Sequence, residues 1–309
     1  MYSELILFAL TALVIAQYDQ HMHCYNLTSK NINSNSCSNN VGQMGYTLQN
    51  MNLVNLTEHD LVIIREELLK HGVILFRNQS MTRKQQIDFT ERIGTLIPLP
   101  TFLNLKDPEI GFESKILRVT NYDSKGLPKK QKELNGQYWH KDGNYMQNDY
   151  IGSMLYADEI DEFNGDSRPT LFLDNCLMDV YPKALLDQVK HLANEINIGT
   201  IKDFTVTEDD MKQHPPVFPK VISKHPQNGK DCLYLTEFLT LNGNSTQKEQ
   251  EIIEQLWDTM IKEAPKYSHH WREGDVVIWD NLAVMHRTGP VTKQSIIGKR
   301  MMYRTTYFI

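Results

Sequence analysis

Residues 271–290 read WREGDVVIWDNLAVMHRTGP, and the fold class turns on this stretch. Gly274–Asp275 turns into the apolar run Val276–Trp279, Asp280–Asn281 turns out of it, and a second short run delivers His286 just before the Thr288–Gly289–Pro290 loop. Short β-favouring runs bounded by turn formers predict strands, because a helix needs a longer periodic segment. Working outward, the same pattern recurs in VILFR at 73–77, IGSMLYA at 151–157, TLFLD at 170–174, CLYLT at 232–236 and RMMYRTTYF at 300–308. Many short strands with Gly, Pro and Asn turns predict a mostly β sandwich or distorted barrel with flanking α-helices. Their irregular spacing argues against βαβ repeats.

Three helices are expected around this core. Thr57 with Asp60 three residues on reads as an N-cap, Leu61, Ile64 and Leu68 recur on one face, and Gly72 stops the run. A second helix is expected from Met81 to Ile93, stopping at Gly94. A third follows the capping box of Thr246 and Glu249, through Ile252, Ile253, Leu256 and Trp257.

The chain has 309 residues, 40% of them hydrophobic, and a formal charge of -6. With a mean hydropathy of -0.45 and a pI near 6.0, no basic surplus exists to attract nucleic acid. An anionic small-molecule substrate is compatible with this balance, because a buried site can be cationic inside an acidic protein. Residues 1–16 carry an apolar run, Leu5 to Ala16, of signal-peptide length and too short to span a bilayer, although Glu4 stands where a basic residue is usual. Cleavage before Gln17 would leave a polar, Asn- and Ser-rich linker over 17–40, a single catalytic domain over 41–309 and no stable membrane span, and it implies a secretory route. A buried first strand or helix, and a cytoplasmic protein, is the alternative. Asn26, Asn55, Asn78 and Asn244 each begin an N-x-S/T sequon. Among the four cysteines, Cys24 and Cys37 are candidates to pair in an oxidising compartment, while Cys176 and Cys232 lie in apolar segments and read as core.

The chemistry begins at Gln137–Asn144, QYWHKDGN. On a strand or its end, His140 and Asp142 project to one side with Lys141 between them. Alone this is a weak signal, since a chain with 11 histidines yields such a pair by chance, as a solvated turn. His286 strengthens it: two imidazoles and one carboxylate form a three-ligand face that leaves positions open on a first-row divalent metal. A structural zinc site wants four closed ligands, and no cysteine pair offers them. Farther on, Arg300, Met302 and Arg304 share one strand face among apolar and aromatic neighbours, so a covered arginine there needs an anion. A guanidinium can hold a carboxylate bidentately.

From about Val41 to the C-terminus the sequence resembles the taurine dioxygenase family of iron(II)/2-oxoglutarate-dependent oxygenases. LLKHGVILFRNQSMTRKQQIDFTERIG, then YWHKDGNY with TLFLDN, then WREGDVVIWDNLAVMHRTG with KRMMYRTTY carry the resemblance, in that order. It implies a double-stranded β-helix (jelly-roll) core, with His140, Asp142 and His286 as iron ligands and Thr170 and Arg300 on the tail carboxylate of 2-oxoglutarate. It implies Fe(2+), with 2-oxoglutarate and O2 as co-substrates and ascorbate as a useful addition in vitro. Arg304 matches the sulfonate-binding arginine of the taurine-binding member and is expected to contact only the substrate, with Asn121 as a second substrate-binding candidate. That member's sulfonate-binding histidine has no counterpart in TLIPLPTFLNLKDP, which favours a small carboxylate over taurine.

The implied reaction converts 2-oxoglutarate to succinate and carbon dioxide while oxidising an unactivated C–H. Related halogenases lack the carboxylate ligand, so Asp142 favours hydroxylation, desaturation or oxidative cyclisation. Similarity to algal kainoid synthases, which close a ring on an N-prenylated glutamate, is one specific alternative. A non-catalytic metal-containing jelly-roll binding protein is the alternative of another class, and retention of both Thr170 and Arg300 argues against it.

Overall fold

The computed structural model describes residues 44–100, 102–103, 115–123, 125–129, 136–147, 150–161, 168–200, 205–237, 240–243, 245–290 and 298–309. The expected leader and linker, Cys24, Cys37, Asn26 and Asn244 lie outside the described residues. In chain order the strands are β1 (Tyr46–Thr47), β2 (Val73–Phe76), β3 (Thr95–Leu96), β4 (Leu117–Thr120), β5 (Ile151–Ile160), β6 (Thr170–Asp174), β7 (Asn194–Glu195), β8 (Ile222–Lys224), β9 (Asp231–Leu233), β10 (Thr240–Leu241), β11 (Lys266–His269), β12 (Val276–Asp280), β13 (Val284–Thr288) and β14 (Arg300–Phe308). The helices are α1 (Glu58–His71), α2 (Arg83–Ile93), α3 (Lys183–Val189), α4 (Glu208–Gln213) and α5 (Gln247–Glu263).

Two sheets face each other. The larger runs β1-β2-β12-β5-β14-β3, with β4 also on β14; β1 joins β2 in parallel and the other pairings are antiparallel. The smaller is β11-β6-β13. Period-two alternation sends one set of side chains between the sheets: Leu75 from β2, Val277 and Trp279 from β12, Phe172 from β6, Val284 from β13 and Met302 from β14 pack as one buried cluster. The other set faces helices. Ile74, Ile278 and Met154 meet Leu61, Ile64 and Leu68 of α1 and Phe89 of α2. Leu173 and Met285, on the outer face of the smaller sheet, meet Ile253, Leu256 and Met260 of α5. Each fully covered Leu or Ile contributes roughly 1.5–3 kcal/mol.

The helix signals worked where they were local. Thr57 and Asp60 form the reciprocal capping box, and Gly72 closes α1 at φ 68, a left-handed conformation suited to glycine, with its N–H on Leu68 O at 2.8 Å. α5 starts from the box of Thr246 and Glu249. α2 begins later than expected, because Thr82 caps Gln85 and is capped in return. The run at 232–236 pairs only as far as Leu233; the N–H of Tyr234 then goes to Val221 O at 2.7 Å.

The reading of Cys176 and Cys232 as core thiols is corrected: they form a disulfide across 56 residues of sequence. The N–H of Leu233 donates to Asn175 O at 2.9 Å, which sets the residue after β6 opposite β9 and brings the two cysteines together. Closing a loop of that length removes unfolded-chain entropy worth roughly 4 kcal/mol at most. Non-reducing peptide mapping should therefore find one peptide joining Cys176 to Cys232, and the Cys176→Ser/Cys232→Ser double variant should melt several degrees lower. Two free thiols in the native protein would overturn the pairing.

Candidate active site

Side chains from β13, β14, β5 and β6 converge between the two sheets. His286 is the inward residue of β13 after Val284. The segment bearing His140 adds to the free edge of β13: His140 N donates to His286 O at 3.0 Å and His286 N to His140 O at 2.9 Å. This sets the two rings 4.3 Å apart. Lys141 points the other way, with Nζ on Leu282 O at 3.1 Å and 4.1 Å from the centre of the Tyr234 ring. Asp142 consequently returns to the His140 side, and the three residues offer ligand atoms within 4.8 Å of one another.

Their protonation suits a cation. His140 Nδ1 donates to Tyr138 O at 2.7 Å, which orients the ring and leaves Nε2 as the nitrogen available to a metal. Burial, with His140 alongside, pushes His286 down to about 3, so it is neutral at ordinary pH. Burial works to raise the Asp142 carboxyl, but Arg304 first, then His286, His140 and the Ser153 hydroxyl, hold it below its usual range. His286 Nδ1 is buried without a partner, and Nε2 stands 3.7 Å from Asp142 Oδ2, beyond hydrogen-bond reach. One carboxylate and two imidazoles, their side chains drawn together without hydrogen bonds between them, fit a divalent metal.

A polar network that the sequence did not reveal locks Asp142. Asn281 Oδ1 accepts from Asp142 N at 3.0 Å and from Trp279 Nε1 at 2.9 Å. Its Nδ2 donates to Ile151 O at 3.2 Å and Ser153 Oγ at 3.0 Å, and Ser153 Oγ donates to Asp142 Oδ2 at 2.8 Å. Asn281 read only as a turn residue, and Ser153 only as one position in an apolar strand.

On the neighbouring side, Thr170 Oγ1 accepts from Trp271 Nε1 at 2.9 Å, and the Arg300 guanidinium lies 5.7 Å from the Trp271 ring centre. His269, held by Asp275 at 3.1 Å, packs edge-on against Trp271. Arg300 Nε has no partner, one NH1 hydrogen goes to the Arg168 carbonyl, and burial with Arg168 beside it pushes the guanidinium down to about 9. Thr170 and Arg300 thus both lie beside Trp271. Asn121 Oδ1 accepts from Arg300 N at 2.9 Å and Nδ2 donates to Gly298 O at 2.8 Å, so the amide braces the start of β14.

Arg304 also departs from expectation. It does not reserve itself for substrate; its NH1 pairs with Asp142 Oδ1, while its Nε is buried without a partner. Tyr145, three residues beyond Asp142, lies close enough to sense both charges, and burial raises its hydroxyl well above its ordinary range. Its ring meets Phe102 at 5.3 Å and His214 at 5.5 Å, an aromatic cluster next to Asp142 and Arg304.

Comparison with known proteins identifies the family. The family model described as taurine catabolism dioxygenase TauD, TfdA family matches residues 35–306. The chain is 25% identical over 247 residues to the alpha-ketoglutarate-dependent 2,4-dichlorophenoxyacetate dioxygenase of Cupriavidus pinatubonensis, covering 76% of this chain and 84% of that one. It is 23% identical over 275 residues to the (S)-phenoxypropionate/alpha-ketoglutarate-dioxygenase of Delftia acidovorans, covering 80% and 87%. Among solved structures, AAD-2 in complex with Mn(II) and N-oxalylglycine superposes with a TM-score of 0.69 at 21% identity over 86% of this chain and 97% of that one, which shows the shared jelly-roll fold. The chain belongs to the taurine catabolism dioxygenase TauD, TfdA family and is an Fe(II)- and 2-oxoglutarate-dependent dioxygenase.

Proposed function

We propose that the enzyme oxidises a small anionic substrate, a carboxylate in preference to a sulfonate, at an unactivated C–H bond. The observation that carries this is Arg304: it is half-covered on the inner face of β14, one edge held by Asp142 and its Nε unpartnered. Such a donor beside the metal ligands suits a second anion, distinct from the one Arg300 awaits. The two arginines stand four residues apart on one strand face, roughly 13 Å at about 3.3 Å per residue. Relatives named for phenoxy-carboxylates, together with the alkylsulfatase of Acinetobacter baylyi at 26% identity over 79% of this chain and 77% of that one, support an anionic substrate.

In this reading His140, Asp142 and His286 hold iron(II), which when bound supplies oxygen activation coupled to decarboxylation of 2-oxoglutarate. Arg300 and Thr170 fix the tail carboxylate of the co-substrate, with Trp271 setting the Thr170 hydroxyl. Arg304 fixes the substrate anion and, through Asp142, refers its position to the metal. Tyr145 and Phe102 wall the pocket and exclude water. Hydroxylation, desaturation and ring closure share the same first C–H cleavage, so the product's mass, one oxygen gained or two hydrogens lost, names the outcome.

The secretory reading is supported by the Cys176–Cys232 disulfide, a feature of oxidising compartments, and by the exposure of Asn55 and Asn78, both at turns.

His140→Ala and His286→Ala should each abolish succinate formation, measured with iron, ascorbate and oxygen against a panel of carboxylates and sulfonates; near-normal turnover in either refutes the metal assignment. Ser153→Ala should weaken Mn(II) binding roughly ten- to hundredfold without unfolding the protein, since supporting partners of a ligand act on that scale. Arg300→Ala should raise the 2-oxoglutarate requirement sharply and Thr170→Val more mildly. Arg304→Ala should lose substrate-stimulated turnover and, unlike Arg300→Ala, also loosen the metal. Unchanged metal affinity there would break the proposed link through Asp142.

A further inference from the structure

A second arginine stands beside the co-substrate residues, and neither its sequence position nor the family resemblance pointed to it. Arg168 precedes β6 and is 8% exposed. Its Nε and NH1 are buried with no hydrogen-bond partner, and it has no ion pair among the described residues. Two residues on along the chain is Thr170, on the pocket side of the strand. The Arg168 carbonyl accepts from the Arg300 guanidinium, and the Arg168 charge is close enough to depress that guanidinium. Two buried cations thus adjoin each other, and three of their donors, two from Arg168 and one from Arg300, point at nothing.

Such an arrangement is unfavourable as it stands. A guanidinium withdrawn from water needs an acceptor, and a like charge beside it adds repulsion. Burial alone lowers Arg168 from its ordinary range, with no anion opposing the shift. What relieves the pair is a carboxylate between them, accepting from both forks at once.

We infer that Arg168 is a second anchor for the tail carboxylate of the co-substrate, so that this carboxylate sits between two guanidiniums and the Thr170 hydroxyl. This rests on the reading that Arg300 and Thr170 bind that carboxylate, and it adds a residue that sets affinity and selectivity for a dicarboxylate. Because succinate keeps the same tail carboxylate, the product is retained by the same pair and competes with 2-oxoglutarate. The ligand-free protein carries the strain of two uncompensated cations, and Arg168→Gln removes it.

The test uses calorimetric titration of N-oxalylglycine into Mn(II)-loaded wild type, Arg168→Gln, Arg168→Lys and Arg300→Gln, with thermal unfolding of each ligand-free protein. Losing one charge-assisted pair should weaken N-oxalylglycine binding roughly ten- to hundredfold in Arg168→Gln. Lysine should restore part of the loss. Mn(II) affinity should hold steady, and ligand-free Arg168→Gln should melt above wild type. If Arg300→Gln weakens binding while Arg168→Gln stays within about twofold of wild type, the second anchor is overturned and the first stands. If neither weakens it, the assignment of the whole pocket falls. A lower melting point with unchanged affinity assigns Arg168 a structural role and also overturns the inference. Should Arg168→Gln fail to fold, the lysine variant decides, with unchanged affinity counting against the proposal.

Discussion

A buried carboxylate is the constraint on which the rest of this structure depends. Asp142 is almost fully removed from water, which by itself would favour its neutral form. It stays ionised because Arg304 and the Ser153 hydroxyl bear on its oxygens, while Asn281 fixes its backbone. Those partners come from three strands or their turns, so the carboxylate can be charged only when β5, β12 and β14 are correctly registered. Fold and metal site are in this sense one problem, solved by the same hydrogen bonds.

The inner faces of the two sheets explain how distant positions converge. Alternation along β14 brings Arg300, Met302 and Arg304 inward, and Met302 lies in the core between the two arginines. Register slips on β5 rather than β14: Met301 faces Glu159 and Met302 faces Ala157, so the extra residue, Asp158, lies on β5 and the spacing of the arginines is undisturbed. On the smaller sheet, Thr170 and Phe172 alternate with outward Leu171 and Leu173, which is how a co-substrate residue and the centre of the core share one short strand.

Much of this was legible in the sequence for a physical reason: strands, capping boxes and ligand alternation are local, and β6 and β14 have the ends that composition predicted. What was not legible depends on contacts between distant segments. No pattern around Asn281 or Ser153 shows that they share hydrogen bonds across 128 residues of chain. Cys176 and Cys232 looked like core because apolar neighbours suit a buried thiol as well as a buried disulfide. The brace that Asn121 gives the Arg300 backbone likewise joins positions 179 residues apart. Arg304 was expected to serve substrate alone, and its pairing with Asp142 makes substrate anchoring and metal geometry interdependent.

The most direct test of this account is an anaerobic iron(II) titration of the wild type and of Asp142→Asn, which preserves shape and removes the charge. The account predicts one iron per chain in the wild type, bound tightly, and loss of that binding in Asp142→Asn with the fold intact by circular dichroism. Equal iron affinity in the two proteins would contradict the claim that a single buried, ionised carboxylate organises the site.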